Sequence, residues 1–271
     1  MTTAKLGNVL NADQKKQFDQ EGFLLLSGLF AGEAAMLREH YMKLRTEAPP
    51  QFYKAASAEE AAGDILKQYP RIMHPHRFDE LSKSYMLHPK LMNILADLFG
   101  TDPLAAQSML YFKPPGAKGQ ALHQDNFYLL VEPGTCIAAW IALDDADQDN
   151  GGMLVVPKSN QLEIQCPHEA DPALSFTRHE VDVPEGYSPV QTNMKAGDVL
   201  FFNGSIIHGS YPNVSKDRFR RALICHYASV EDTKISAGYK PLFRFDGSEF
   251  EIESNEGGGP CGSEFDAAGI H

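Results

Sequence analysis

The second half of the chain is a series of short apolar segments, and this pattern limits the fold more than any other feature. From about residue 105, turn clusters rich in Pro, Gly, Asn and Asp separate these segments. The segments are QSMLYFKPPG, ALHQDNFYLLVEPG, CIAAWIALDD, GGMLVVPKS, VQTNMKAGDVLFFNG and RRALICHYAS. Strands at this spacing are typical of an antiparallel sandwich or barrel. The pattern therefore predicts a β-rich jelly roll.

Helical patterns dominate the sequence before this region. Asn11 and Gln14 form a capping-box pattern at the start of a helix, and Gly22 is predicted to end it. The segments AGEAAMLREHYMKLRTE and HPKLMNILADLFG carry apolar residues at helical spacing, and Gly100 stands at the end of the second. AEEAAGDILKQY is predicted as a further short helix, and FLLLSGLF as a short buried strand.

The length and apolar content of the chain indicate one domain. The 271 residues are 43% hydrophobic, which is enough for one substantial core. We predict that residues 1–271 form this domain, with a helical N-terminal part at 1–104 and a jelly-roll core at about 105–245. The acidic, Gly-rich stretch 246–271 is predicted to be a surface tail.

The charge balance excludes some classes of partner. A formal net charge of -12 argues against nucleic acid or an anionic membrane surface as the main partner, because both attract positive surfaces. The N-terminus shows no apolar signal region, and no apolar run approaches the length of a membrane span. We therefore predict a soluble, cytoplasmic protein, either a monomer or a homodimer.

The four cysteines show no pairing pattern. Cys136, Cys166, Cys225 and Cys261 form no C-x-x-C motif, so the sequence supports neither a zinc ribbon nor a thioredoxin-like site. We predict that they are free, buried thiols in a reducing compartment.

Two ionisable residues interrupt an apolar, β-prone run in ALHQDNFYLL. If this run is a strand, His123 and Asp125 project from the same face. An imidazole and a carboxylate side by side can bind adjacent positions on a divalent metal, and His208 in FFNGSIIHGSYPN is the candidate third ligand. Two histidines and one carboxylate form the facial triad of non-haem Fe(II) oxygenases.

Other interpretations of these residues remain open at this stage. An H-x-D pair is often only a hydrogen-bonded couple, which suits a jelly-roll protein that binds a small molecule without catalysis. The same ligands also bind zinc, which would indicate a hydrolase. Among the other histidines, His74 and His76 form an H-x-H pair, and His226 is interpreted as a core residue on a strand.

Arginines that follow His208 favour the oxygenase interpretation. Arg218, Arg220 and Arg221 come shortly after it, and Arg220 is predicted to start a strand. Oxygenases with this triad usually use 2-oxoglutarate, whose distal carboxylate requires a planar, bidentate donor such as arginine. Arg220 is the preferred candidate, and Arg218 is the alternative.

The motifs LHQD, AAWIALDD, NGGMLVVPKS, KAGDVLFFNGSIIHGS and FRRALICHY, in this order, resemble the phytanoyl-CoA dioxygenase family of Fe(II)/2-oxoglutarate oxygenases. The resemblance covers about residues 105–230 and implies a double-stranded β-helix, a cupin-like jelly roll with flanking N-terminal helices. It implies roles for seven residues by their motif positions, and Tyr111 and Gln120 are added by proximity alone. The expected iron ligands are His123, Asp125 and His208; the expected 2-oxoglutarate contacts are Arg220, Ser210, Trp140, Met109, Tyr111 and Gln120.

The resemblance also implies an activity. We expect a dioxygenase that uses Fe(II), 2-oxoglutarate and O2 to hydroxylate, or otherwise oxidise, an unactivated C–H bond of a small metabolite, with release of succinate and CO2. In related halogenases a small residue replaces the carboxylate ligand. Because Asp125 is present, hydroxylation is favoured over halogenation.

Overall fold

Helices precede a large block of strands in the computed structural model, which describes residues 7–51 and 53–256. The α-helices of this described part are α1 (Ala12–Glu21), α2 (Ala34–Glu47), α3 (Ala58–Ala61), α4 (Ile65–Gln68), α5 (Glu80–Met86), α6 (Pro89–Phe99) and α7 (Asn126–Leu129). The first strands are β1 (Phe23–Leu26), β2 (Ile72–Met73), β3 (Pro103–Lys113), β4 (Gln120–His123), β5 (Ile137–Ala142), β6 (Met153–Val155), β7 (His168–Glu169) and β8 (His179–Glu180). They are followed by β9 (Val190–Gln191), β10 (Val199–Asn203), β11 (His208–Ser210), β12 (Arg220–Ser229), β13 (Lys234–Ile235), β14 (Leu242–Phe243), β15 (Glu249–Phe250) and β16 (Glu253–Ser254).

Local sequence signals place the N-terminal helices as predicted, with two exceptions. The capping box of Asn11 and Gln14 begins α1, and Gly22 ends it in the left-handed conformation. The segment predicted as one short helix forms two single-turn helices, α3 and α4. Ala62 and Gly63 between them both have positive φ angles, of 50° and 88°, and this interrupts the helix. Helix α5, which was not predicted, starts where the Asp79 side chain accepts a hydrogen bond from the Ser82 backbone N–H.

Two antiparallel sheets form the jelly roll. The large sheet has the order β1-β10-β5-β12-β3-β14-β15, and β2 pairs with β3 beside this path. The small sheet has the order β4-β11-β6-β9. The strand order and pairing confirm the predicted double-stranded β-helix. β1 and β2 show that the N-terminal part also contributes strands to the large sheet.

Alternate residues of β12 face two different buried regions: the cluster beneath the helices and the interior of the jelly roll. Leu223, Cys225 and Tyr227 pack in a buried cluster with residues of helices α1, α2, α5 and α6. Ala222 and Ile224 belong to a second cluster, which also contains residues of the small sheet. Because neighbouring residues of a strand face opposite sides, the inward set of β12 also includes Arg220 and His226. The large sheet thus directs two polar side chains toward the small sheet.

The cysteine prediction is correct for two residues and wrong for a third. Cys136 and Cys225 are free and buried. Cys166 is disulfide-bonded, contrary to the prediction. Cysteine spacing identifies only motifs with cysteines close together in the sequence. It therefore does not reveal a disulfide that depends on tertiary proximity. Cys261 lies outside the described residues.

Part of the predicted tail forms regular structure. Phe250 of β15 pairs with Leu242, and Glu253 of β16 pairs with Lys234. Residues 257–271 of the predicted tail lie outside the described residues. In the part of the chain that the structure describes, no helix combines the length and the apolar character that crossing a membrane requires.

Candidate metal centre and adjoining cationic site

Two strands of the small sheet bring the candidate histidine ligands together. His123 ends β4, His208 starts β11, and the two residues are direct partners in the antiparallel register. Their ring centroids lie 4.2 Å apart. Gly209 permits this close pairing, because a Cβ atom there would lie 2.7 Å from the backbone oxygen of Gln120. The sheet register thus places two imidazoles at one point.

Asp125 reaches the same point by a route that differs from the predicted one. The strand ends at His123, and Asp125 has helical backbone angles, φ -61° and ψ -38°, immediately before α7. The same-face rule for strands therefore does not apply to this pair, and that part of the prediction is wrong. The turn into α7, rather than the strand, points the carboxylate toward the histidines.

The three side chains form a compact, buried donor set. One atom from each of His123, Asp125 and His208 lies within 4.8 Å of the other two, and all three residues are buried. The Oδ1 atom of Asp125 is 3.5 Å from the Nε2 atom of each histidine. This is the only such group of potential metal ligands in the described part of the chain. Two imidazole nitrogens and one carboxylate oxygen at these distances suit a divalent metal ion.

Backbone carbonyls fix both imidazoles in the tautomer that a metal requires. Nδ1 of His123 donates to the Ala121 carbonyl at 2.8 Å, and Nδ1 of His208 donates to the Ile206 carbonyl at 3.1 Å. Because a carbonyl only accepts, each Nε2 is unprotonated and can offer its lone pair to a metal. Burial also lowers the pKa of His208 to about 4, so its ring is neutral near pH 7.

His226 holds the carboxylate in position, a role that sequence reasoning missed. Its Nε2 donates to Oδ2 of Asp125 at 2.9 Å, which leaves Oδ1 directed at the two ligand histidines. Burial alone would raise the pKa of Asp125, but its interactions with His208 and His226 outweigh burial and hold that pKa well below its usual value. The carboxylate is therefore ionised and oriented.

We expect His226→Phe to weaken Fe(II) affinity by about 10- to 100-fold, the usual cost of losing a hydrogen-bond partner of a metal ligand. Phenylalanine keeps the ring but removes the donor to Asp125. His226→Gln is the matched control, since its amide can donate from the position of Nε2. The measurement is an anaerobic Fe(II) titration of each variant. Equal affinities of wild type and His226→Phe would show that this hydrogen bond does not support the metal.

A buried guanidinium, which forms no ion pair with any residue that the structure describes, adjoins the metal centre. Arg220 is 2% exposed, its Nε donates to the Gly151 carbonyl at 3.0 Å, and its guanidinium lies 5.4 Å from the centre of the Trp140 ring. Its Nη1 is buried without a hydrogen-bond partner in the described part of the chain. Burial lowers the pKa of Arg220 only to about 10, so the group stays charged at neutral pH.

Arg218, the alternative anchor, is committed elsewhere. Its guanidinium makes two hydrogen bonds with Asp147, at 2.6 and 2.9 Å, and its side chain is 41% exposed. A guanidinium already paired with a carboxylate near the surface is not available to a second anion beside the metal. The geometry therefore favours Arg220.

Lys113 adds a second buried cation that sequence reasoning missed. It is 1% exposed and lies opposite Arg220 in the register of β3 and β12. Its Nζ donates to Oγ of Ser210 at 2.8 Å and to the Tyr211 carbonyl at 2.6 Å. Because Ser210 accepts from this ammonium, its own O–H is left to donate to another group. Burial, followed by repulsion from Arg220, lowers the pKa of Lys113 well below its usual value.

The remaining predicted residues line the cavity between the metal ligands and Arg220. This wall contains Met109, Tyr111, Gln120 and Trp140, together with Met153, Phe202, Ile224 and His226. Gln120 donates from its amide to Nε2 of His123 at 3.2 Å. Ser210 lies beside the cavity because it pairs in the small sheet with Gln120 and Met153, which both line it. The structure thus gathers all nine predicted site residues in one region.

A keto acid fits this arrangement on chemical grounds. Two buried cations, Arg220 and Lys113, lie together with no ion pair to any described carboxylate. Burying an uncompensated charge is costly, so such a pair indicates a site for an anion. A dicarboxylate that reaches from this site to a metal on His123, Asp125 and His208 satisfies both groups.

The fold and the site together define a class of protein, the non-haem Fe(II)/2-oxoglutarate-dependent oxygenases with a double-stranded β-helix. The comparison with protein families then identifies the family. The chain belongs to the phytanoyl-CoA dioxygenase (PhyH) family, whose model matches residues 18–222. The predicted resemblance is confirmed.

Individual relatives are distant but cover most of the chain. Phytanoyl-CoA dioxygenase 1 of Oryza sativa subsp. japonica is 27% identical in an alignment of length 259, and the match covers 84% of this chain and 92% of the rice protein. The peroxisomal phytanoyl-CoA dioxygenase of Mus musculus is 28% identical in an alignment of length 238, and the match covers 83% of this chain and 70% of the mouse protein. The epimerase SnoN, solved with Fe3+, alpha ketoglutarate and nogalamycin RO, has a TM-score of 0.64 at 21% identity, and the likeness covers 82% of this chain and 84% of SnoN. This last likeness concerns the fold.

Proposed function

We propose that this protein is an Fe(II)/2-oxoglutarate-dependent dioxygenase that hydroxylates an unactivated C–H bond of a small metabolite and releases succinate and CO2. One observation carries the proposal: a buried two-histidine, one-carboxylate set adjoins the buried cations Arg220 and Lys113, which have no anionic partner among the described residues. SnoN, which shares the fold, was solved with iron and 2-oxoglutarate.

Each proposed role follows from the geometry. His123, Asp125 and His208 hold Fe(II) through Nε2, Oδ1 and Nε2. When bound, iron with 2-oxoglutarate and O2 supplies an oxidant that can remove hydrogen from an unactivated C–H bond. Arg220 binds the distal carboxylate of 2-oxoglutarate, and the Ser210 hydroxyl donates to the same carboxylate.

The apolar wall of the cavity excludes water from the co-substrate site. Met109, Trp140 and Ile224 line the space between Arg220 and the metal ligands. Exclusion of water strengthens the attraction between the guanidinium and a carboxylate, because the local dielectric is low. Trp140 also lies beside the Arg220 guanidinium and keeps it aimed into the cavity.

We propose hydroxylation rather than halogenation because Asp125 supplies the carboxylate ligand. Its Oδ1 faces both histidine Nε2 atoms at 3.5 Å, and His226 holds it there. A halide would have to displace this oriented, ionised group. The epimerase SnoN shows that the same fold supports other outcomes, so product analysis must accompany any activity assay.

The cationic pair distinguishes this proposal from a zinc hydrolase. Zinc suits the same three ligands. A hydrolytic site, however, gives no reason to bury Arg220 beside Lys113 without a carboxylate. A protein that only binds a small molecule would likewise not need two adjacent histidines whose Nδ1 atoms are held by backbone carbonyls.

The direct test is conversion of 2-oxoglutarate into succinate. Purified protein, loaded with Fe(II) without oxygen and then exposed to O2, is assayed with a broad panel of small metabolites. We expect succinate release that depends on iron and O2 and rises with a substrate. Protein that binds iron but never forms succinate across the panel would contradict the proposed reaction.

We expect Lys113→Met to raise the KM for 2-oxoglutarate by about 10-fold, the typical effect of losing a hydrogen-bond network to a charged group. Methionine keeps the length of the side chain but removes the ammonium that orients Ser210. Lys118→Met is the matched control, because the Lys118 ammonium donates only to the exposed Pro172 carbonyl. An unchanged KM in Lys113→Met, measured by succinate release, would remove Lys113 from the co-substrate site.

Compartment and assembly stay predictions. We propose a small-molecule substrate and a cytoplasmic location, with a monomer or homodimer as the unit. The name of the mouse relative places that protein in the peroxisome. Fractionation of the source cells and light scattering of the pure protein test these points.

A further inference from the structure

A second arginine, Arg71, lies beside the cavity and has no ionic partner among residues 7–51 and 53–256. It immediately precedes β2, whose pairing with β3 places it next to Tyr111. Its Nη1 donates to the Tyr111 hydroxyl at 3.0 Å. The guanidinium also lies over two rings, 5.5 Å from the centre of Tyr111 and 5.4 Å from that of Phe176. These contacts hold it in one orientation.

The charge of Arg71 is uncompensated within the described part of the chain. It contacts one neutral hydroxyl and two aromatic faces, and it forms no ion pair with a described residue. Arg218 and Arg221, in contrast, pair with Asp147 and Asp144 at 2.6 and 2.7 Å. In a chain of net charge -12, an oriented cation without a carboxylate is notable.

Arg71 lines a cavity of ≈ 170 Å³ that adjoins the metal cavity at Tyr111. Tyr128 connects the two regions: its ring is 6.4 Å from that of His123, and the charge of Arg71 acts on its hydroxyl. Arg71 is thus near the metal centre but outside the wall that contains Arg220.

We propose that Arg71 binds a carboxylate of the substrate and that the substrate is therefore a small monocarboxylic acid with an apolar body. This inference rests on the proposed function, because Arg220 and Lys113 already serve the co-substrate. Besides Arg71, the cavity is lined by Leu66, Tyr69, Pro70, Tyr111, Phe112, Lys113 and Phe176, which are largely apolar or aromatic. The ammonium of Lys113 already donates to Ser210 and Tyr211, so a single guanidinium remains for the substrate.

The planar fork of arginine explains why a carboxylate is preferred. Nη1 is engaged by Tyr111, and the remaining N–H groups can form two parallel hydrogen bonds to a carboxylate. Stacking on Tyr111 and Phe176 reduces the side-chain freedom that binding would otherwise remove. A multiply charged nucleotide would need more cations than this wall provides.

The test compares acids with their uncharged amides. Octanoate with octanamide, and phenylacetate with phenylacetamide, are titrated by calorimetry into anaerobic enzyme that contains Fe(II) and 2-oxoglutarate. We expect the wild type to bind each acid about 10- to 100-fold more tightly than its amide, as for a charge-assisted bidentate pair. Arg71→Gln should lose this preference, and Arg71→Lys should retain part of it. Arg178→Gln, at a nearby exposed arginine, should leave it unchanged.

The outcomes separate this inference from the proposed function. The visible absorption band of the Fe(II)/2-oxoglutarate complex is recorded for each variant, and melting temperatures verify the fold. If the band forms normally while acids and amides bind alike, or no acid binds, the role of Arg71 is overturned and the proposed function stands. An unchanged preference in Arg71→Gln would overturn it too. Absence of the band in the wild type would overturn both.

Discussion

His208→Ala is expected to eliminate Fe(II)-dependent turnover, with a loss greater than the roughly 100-fold that partners of metal ligands produce. His208 supplies one of three donors, and its Nδ1–H is already committed to the Ile206 carbonyl, so no nearby group replaces its Nε2. Iron content after anaerobic loading and succinate release measure the effect. Iron content and the rate of succinate release should fall by the same factor, because His208 acts through the metal.

The control for this substitution is His168→Ala. His168 is exposed and lies in the two-stranded sheet of β7 and β8, so its loss should leave iron content and turnover unchanged. His208 lies between β4 and β6, and circular dichroism therefore checks that the small sheet survives the substitution. A folded His208→Ala protein with normal iron content would remove this residue from the metal site.

Arg220→Lys is expected to raise the KM for 2-oxoglutarate by about 10- to 100-fold, with a smaller effect on kcat. Lysine keeps the charge but cannot form two parallel hydrogen bonds, and it loses the contact with the Gly151 carbonyl. The measurement is the dependence of succinate release on 2-oxoglutarate concentration. The direct binding constant, from the visible absorption of the anaerobic complex, should change by a similar factor.

Arg218→Lys is the matched comparison. Arg218 already pairs with Asp147 near the surface, so this change should leave the KM almost unaffected. The reverse order, with a large effect at Arg218 and a small one at Arg220, would transfer the anchor to Arg218. The two variants therefore decide between the alternatives that the sequence left open.

The fold was predictable because its signals are local. The capping box of Asn11, the glycines at 22 and 100, and the alternation of short apolar runs each reflect chemistry within a few residues. The break at Ala62 and Gly63 escaped prediction because an alanine with positive φ has no sequence signature. The disulfide at Cys166 escaped it because it depends on tertiary proximity.

The candidate site was predictable only where a residue type and a motif coincide. His123, Asp125 and His208 were selected together, although the strand-face reason for the first two was wrong, since the chain turns at Asp125. His226 and Lys113 were missed as site residues. His226 contacts Asp125 because β12 faces the small sheet at this point, and Lys113 lies opposite Arg220 because β3 pairs with β12. Both contacts depend on how distant strands align in the sheets, and no single segment of the sequence encodes that alignment.

The most direct test of the central idea is the visible spectrum of the anaerobic protein with Fe(II) and 2-oxoglutarate. A keto acid that chelates a ferrous ion on His123, Asp125 and His208 produces a charge-transfer band that neither component shows alone. We predict this band in the wild type and in Arg218→Lys, its absence in His208→Ala, and its appearance in Arg220→Lys only at higher 2-oxoglutarate concentration. A wild-type protein that binds iron yet shows no band at saturating 2-oxoglutarate would contradict the account.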